Sequence, residues 1–204
     1  MNGKWIIPGA AALAAVVASL ISYADLPEQM AIHFGINDQA DRYAHKALGA
    51  FLAPAVIMLL PLLTNLNMKL EHDESKRNRF GQVNETINTV IILLLLAVHL
   101  AVLGINLGYD LSPSRFGPLA LGIVFVLVGN VLPRTPQGPM RLFKMKDEQY
   151  ARYARFSGRA LVAAGFLLLL SAALPDRVGI YFALAVIAAL IIAVIGSSIY
   201  VRRK

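Results

Sequence analysis

Apolar residues fall in six long, nearly unbroken runs separated by short polar stretches. A helix needs about 20 mostly apolar residues to cross a bilayer. Segments 5–24, 47–66, 86–107, 116–133, 158–175 and 179–200 meet that length, the third with VIILLLLAVHLAVLGINL at its centre. Pro133 closes the fourth, because proline lacks the amide a continuing helix needs. Pro54 and Pro61 predict kinks in the second, tolerable where neighbouring groups satisfy the freed carbonyls. The SYA before Asp25 resembles a small-residue cleavage site, but the apolar run before it is longer than the roughly 7–15 residues of a signal peptide. Only Lys4 precedes that run, so an uncleaved helix is the favoured reading.

Two polar connections carry patterns of their own. Loop 25–46 contains MAIHF, where Met30, Ile32 and Phe34 alternate with Ala31 and His33, a period-two pattern that predicts a short extended piece. Gly35, Asn37 and Asp38 supply turn chemistry, and Tyr43 and Lys46 can anchor the next helix at the interface. Segment 134–157 predicts a basic amphipathic helix over roughly 140–157. Leu142, Met145, Tyr150, Tyr153 and Phe156 share one face, beside Arg141, Lys144, Arg152, Arg155 and Arg159. Such a helix lies in the membrane interface with its tyrosines at headgroup depth. Its basic face suits anionic lipid or, alternatively, a cytoplasmic partner. The stretch KLEHDESKRNRFGQ mixes both signs and reads as a solvated helical extension or turn.

Composition sharpens the class. The chain is 57% hydrophobic and 15% charged, where a soluble domain carries roughly a quarter charged residues. A net charge of +7 could suit a nucleic-acid binder, but the basic residues cluster beside the apolar runs. With both termini cytoplasmic, 15 of the 19 Lys and Arg fall inside, and only Arg42, Lys46, Arg115 and Arg177 fall outside. That asymmetry sets orientation. The fold expected is an all-α integral membrane bundle of six transmembrane helices, a single domain with 25–46 as its largest extracytoplasmic loop and an interfacial helix between helices 4 and 5. The absence of cysteine removes disulfides and thiolate metal sites.

Candidate chemistry is sparse. In the outer loop, His33, Asp38, Asp41 and His45 could in principle ligate a metal, but their spacing lacks the constraint that metal sites show. The blander reading is a cap whose polar groups satisfy one another, and the sharper one a surface that recognises a partner. His99 lies near the middle of the third run, Asn88 and Asn106 on the same run, and Asn130 near the end of the fourth. Polar glue between helices outweighs a proton or ligand path, since no chain of acidic residues accompanies them. A rival class is a small transporter or channel with a polar path through His99 and Asn130. There is no nucleophile elbow, phosphate loop or HExxH pair, so an enzyme is not favoured and no cofactor is implied.

Several short motifs together resemble a known family. Leu26-Pro27, then Ile32-His33-Phe34, a turn with Asp41-Arg42 and Lys46 before a helix resemble the N-terminal domain of the SdpI family of bacterial membrane immunity proteins. Gly129-Asn130-Val131-Leu132-Pro133-Arg134 resembles that family's motif at the end of a later transmembrane helix. Further on, Arg141, Glu148, Tyr150, and Arg155 with Gly158 match family positions, while the family's TPWT core is missing. The resemblance implies a bacterial inner-membrane protein giving resistance to a secreted peptide toxin, in some relatives also sequestering a cytoplasmic transcriptional repressor. The residues it marks as candidates for partner binding are His33, Phe34, Asp41, Lys46, Asn130, Arg134, Arg141, Tyr150 and Arg155, to which the residue reading adds His99.

The predicted topology has a direct check. Single cysteines replacing Asp38 and Lys144 should react with an impermeant thiol reagent from opposite sides of the membrane. Reaction of both from outside would overturn it.

Overall fold

The computed structural model describes residues 5–69, 74–135 and 145–203. Among them are six α-helices and one hairpin: α1 (Ile6–Ser22), β1 (Gln29–Phe34), β2 (Ala40–His45), α2 (Lys46–Lys69), α3 (Glu74–Asn106), α4 (Pro113–Val131), α5 (Asp147–Ser171) and α6 (Asp176–Arg203). Helices α2 to α6 each contain a stretch long and apolar enough to cross a membrane, and α1 is an apolar helix of 17 residues. Their outer faces carry large exposed apolar side chains such as Ile21, Leu63, Phe166 and Ile192. This is the character of a multi-pass membrane protein.

The apolar runs are all found as helices, with two extensions. The mixed-charge stretch before the third run is helical from Glu74, so α3 reaches 33 residues. The fifth helix starts at Asp147, well before 158. In place of a separate interfacial helix over 140–157, residues 147–157 form the first turns of one unbroken helix with the apolar run. Nothing in that stretch removes a backbone donor, and Gln149 Oε1 accepts from the Lys146 amide at 3.1 Å, closing the first turn. Residues 136–144, including Arg141 and Lys144, lie outside the described residues. Helix α4 begins with Pro113 in its first turn, where a missing amide costs nothing, and gives way at Leu132 to a 3-10 turn over Leu132–Arg134 containing Pro133.

The helices group as two sets of three. Ala11, Ala12 and Ala15 of α1 pack with Ile57 of α2 and Ile92 of α3. Ala164 and Leu168 of α5 pack with Ala183, Val186 and Leu190 of α6, and Leu121 and Phe125 of α4 lie against them. Small residues dominate these seams, as expected where lipid supplies no hydrophobic drive and close backbone approach must supply contact instead. The closest seam is α4 against α5. A Cβ placed on Gly129 would lie 2.7 Å from the Gly158 carbonyl oxygen, and one on Gly165 would lie 2.7 Å from that of Gly122. On each helix the two glycines are seven residues apart, two helical turns, so the antiparallel helices meet at both levels.

Within the first set, α2 stays helical through both prolines. Pro54 cannot donate to the carbonyl of Ala50, and the Ser19 hydroxyl on α1 donates to that oxygen instead at 2.6 Å. The Thr64 hydroxyl donates back to Leu60 and Pro61 and accepts from Asn88 Nδ2 at 2.7 Å, joining α2 to α3.

At the α4–α5 seam, Gly129→Ala should lower stability by about 1–3 kcal/mol, the usual cost of overpacking, read as a lower thermal midpoint in detergent. Gly117→Ala, with nothing within 4 Å of the added methyl, should leave the midpoint unchanged or raise it.

Candidate functional site

The hairpin between α1 and α2 is the most specifically built polar element. Strands β1 and β2 pair antiparallel, Gln29 opposite His45 and Met30 opposite Ala44, with irregularities on either side of His33. Simple alternation would put Ile32 with Met30 and His33 with Ala31. The observed burial is different: Met30 and Ala31 are buried, Ile32 and His33 are exposed, and Phe34 is half-buried opposite Ala40. A bulge re-aims side chains in this way, and here it turns His33 outward.

Four contacts fix the hairpin to the helices. Met30 is fully buried with Leu26, Ala50 and Leu103, and lies against Gly49, where a Cβ would meet its sulfur at 2.9 Å. Asn106, at the end of α3, accepts from the Ala31 amide at 2.7 Å and donates to the Ala31 carbonyl at 2.9 Å, so one side-chain amide takes the place of a third strand. Lys46 starts α2: its ammonium meets Glu28 at 2.7 Å and lies 5.0 Å from the Tyr23 ring centroid, while its amide donates to the Glu28 carbonyl. Asp38, at the hairpin turn with φ 60°, accepts from the Ser114 amide at 2.5 Å and from the hydroxyls of Ser112 and Ser114. It therefore caps the N-terminus of α4, which lies in the other set of helices. A carboxylate there satisfies orphan amides and meets the positive end of the helix dipole.

These partnerships keep His33 with Asp41 but commit the other two candidate metal ligands, Asp38 and His45, elsewhere. His33 Nδ1 sits 2.5 Å from Asp41, Asp38 serves α4, and His45 faces Glu28 at 3.5 Å. Among the described residues no three His or carboxylate side chains converge. The face left outward holds His33, Asp41, Ile36 and Tyr43, while Ile32 is exposed toward α2 and α3. A cleft of about 570 Å³ runs from Ile36, Asn37 and Asp41 at the hairpin tip to Arg177 and Tyr181 at the start of α6. It is large enough for a few side chains of a partner and offers one guanidinium, amides and apolar surface.

The remaining candidates lie elsewhere. His99 is buried between α1 and α3: its Nε2 is 3.0 Å from Ser19 Oγ and 3.3 Å from the Ala15 carbonyl. Asn130 is exposed on α4, so the two residues posited for a common polar path are not brought together. Arg134 is exposed on the 3-10 turn, and Tyr150 is half-buried and hydrogen-bonded to Thr135, tying the start of α5 to that turn. Arg155 is exposed on α5. Outside the expected partner-binding set, the structure ties Ser19, Glu28, Asp38 and Asn106 to the hairpin or to His99. Asp38 and Asn106 are visible in the sequence as turn and interhelical polar groups, but their targets, the α4 N-terminus for Asp38 and the Ala31 backbone for Asn106, depend on tertiary placement.

Residues 10–58, which span most of α1, the whole hairpin and the first half of α2, match a family described as Domain of unknown function (DUF1648), a domain found in SdpI-like membrane proteins. No curated protein and no solved structure matches the chain.

The Lys46 hydrogen bond, followed by its charge, holds the Glu28 carboxyl below the usual carboxylate range. A depressed folded value means the pair is complete above the ordinary carboxylate pKa and is lost as pH falls through the lowered one. The Glu28 side-chain carboxyl carbon resonance should therefore titrate below the usual carboxylate range, and Lys46→Ala should bring its titration back toward that range. Asn106→Leu should make the Ala31 amide exchange at least tenfold faster, since a buried unpaired amide costs about 1–3 kcal/mol. Unchanged exchange would mean the side-chain amide does not hold β1.

Proposed function

We propose that the chain is a six-pass protein of a bacterial cytoplasmic membrane, with both termini inside, and that its outer hairpin confers immunity to a secreted antimicrobial peptide, as the resemblance to the SdpI family implies. The observation that carries this is the hairpin itself: four contacts fix it to the helices, while His33, Asp41, Ile36 and Tyr43 are left facing out beside a cleft. A loop serving only to connect two helices needs no such anchoring. The family match over 10–58 supports the same reading, because it is centred on this element.

The same geometry supports this topology. The connections 23–45, 107–112 and 172–175 gather at the hairpin end, with Arg42, Lys46, Arg115 and Arg177, while Lys69, Arg77, Arg134, Lys146, Arg152, Arg155, Arg202 and Arg203 lie toward the other. The positive-inside rule then puts the hairpin outside. At 17 residues α1 stands at the lower limit of a spanning helix, about 17–25 residues. On the inner side, exposed Arg152, Arg155 and Arg159 on α5 suit anionic lipid and a cytoplasmic repressor held at the membrane.

In a peptide-sensitive bacterium expressing this chain, His33→Ala and Ile36→Asp should each reduce survival at least tenfold at equal membrane abundance. Lys46→Ala should also lose protection, by loosening the hairpin from Glu28 and Tyr23. Normal protection by both the His33 and Ile36 variants would overturn the reading.

A further inference from the structure

Beneath the hairpin, α2 and α3 part to leave a groove of about 290 Å³. Leu52 and Val56 of α2 and Leu95 and Val98 of α3 form its walls, Ile32 of β1 overhangs it, and His99 is the one polar side chain lining it. His99 is 2% exposed.

The hydrogen bonds around His99 decide what that ring offers. Two carbonyls converge on the Ser19 hydroxyl and His99 Nε2: Ala50, 2.6 Å from Ser19 Oγ, and Ala15, 3.3 Å from Nε2 and 3.0 Å from Ser19 Oγ. Carbonyls only accept, and Ser19 has one proton, which the shortest contact assigns to Ala50. The hydrogen on Nε2 must then point to Ser19 Oγ, at 3.0 Å, and Ala15. In the neutral ring this leaves Nδ1 as an acceptor, and among the described residues it has no hydrogen-bond partner. An acceptor in an otherwise apolar wall is unfavourable until a donor reaches it.

We propose that this groove binds a single-chain aliphatic alcohol drawn from the surrounding membrane, its chain along Leu52, Val56, Leu95 and Val98 and its hydroxyl donating to His99 Nδ1. A cavity of 150 Å³ takes one benzene, so this groove takes a chain of about ten carbons. The same lone pair disfavours a carboxylate, which has no proton to give, and an alkane leaves it unpaired. The groove shares Ile32 and Ala44 with the hairpin, but neither His33 nor Ile36 lines it, so its failure leaves the immunity reading standing.

The test uses the full chain in phosphatidylcholine nanodiscs with ¹⁵N-labelled histidine. 1-Decanol should shift the His99 Nδ1 resonance saturably, decane should compete about fivefold more weakly and decanoate more weakly still. Ala53→Phe, which fills the groove, should abolish the shift, while Leu63→Phe on an exposed part of α2 should not. An Nδ1 resonance indifferent to decanol, equal competition by decane, or a shift that survives Ala53→Phe would each overturn the proposal.

Discussion

The first half of the molecule turns on a carbonyl that its own helix cannot satisfy. Pro54 has no amide, so Ala50 would present a bare oxygen inside an apolar bundle, at a cost of about 1–3 kcal/mol. Ser19 answers it from α1 and is itself held by His99 from α3. Three helices are thereby pinned at one depth by a proline. The helix pair α1–α2 also carries the hairpin between its ends, so the depth at which they are pinned sets where Met30 meets its socket against Gly49 and where Lys46 meets Glu28.

The second half relies on the opposite device, the absence of side chains. Gly129 against Gly158 and Gly165 against Gly122 bring α4 and α5 into backbone contact, and Pro133 packs on Gly158 just beyond. The GN-x-LPR stretch thus has a packing role in its glycine and proline, while its Asn130 and Arg134 remain exposed. Asp38 is the stitch between halves: it leaves the hairpin turn in a left-handed conformation and closes the N-terminus of α4. Asp tolerates that conformation better than most residues with a side chain, and its carboxylate is the group a helix start requires.

Much of this was legible in the chain. Six apolar runs became six helices because unbroken apolarity over that length has few other solutions, and the turn chemistry of Gly35 to Asp38 marked the hairpin tip. The second strand was not foreseen, since ADRYAH lacks an apolar alternation and is a strand only because β1 offers it a partner. The bulge likewise overturned the simple alternation at Ile32 and His33. The inner boundary of α5 was missed because polarity changes at Gly158 while helicity does not. His99 and Asn106 were identifiable as polar groups within an apolar run, yet their different targets, a serine on α1 and a strand backbone, depend on which helices meet at their level.

The Asn106 and Asp38 contacts bear on modularity. The recognisable domain ends at residue 58, yet Asn106, Ser112 and Ser114, which grip its hairpin, come from about fifty residues further along the chain. The matched stretch is therefore held in part by residues that lie outside it. A hairpin transplanted from one such protein into another would keep its shape only where the host supplies an amide side chain at the end of its third helix and a serine-rich start to its fourth.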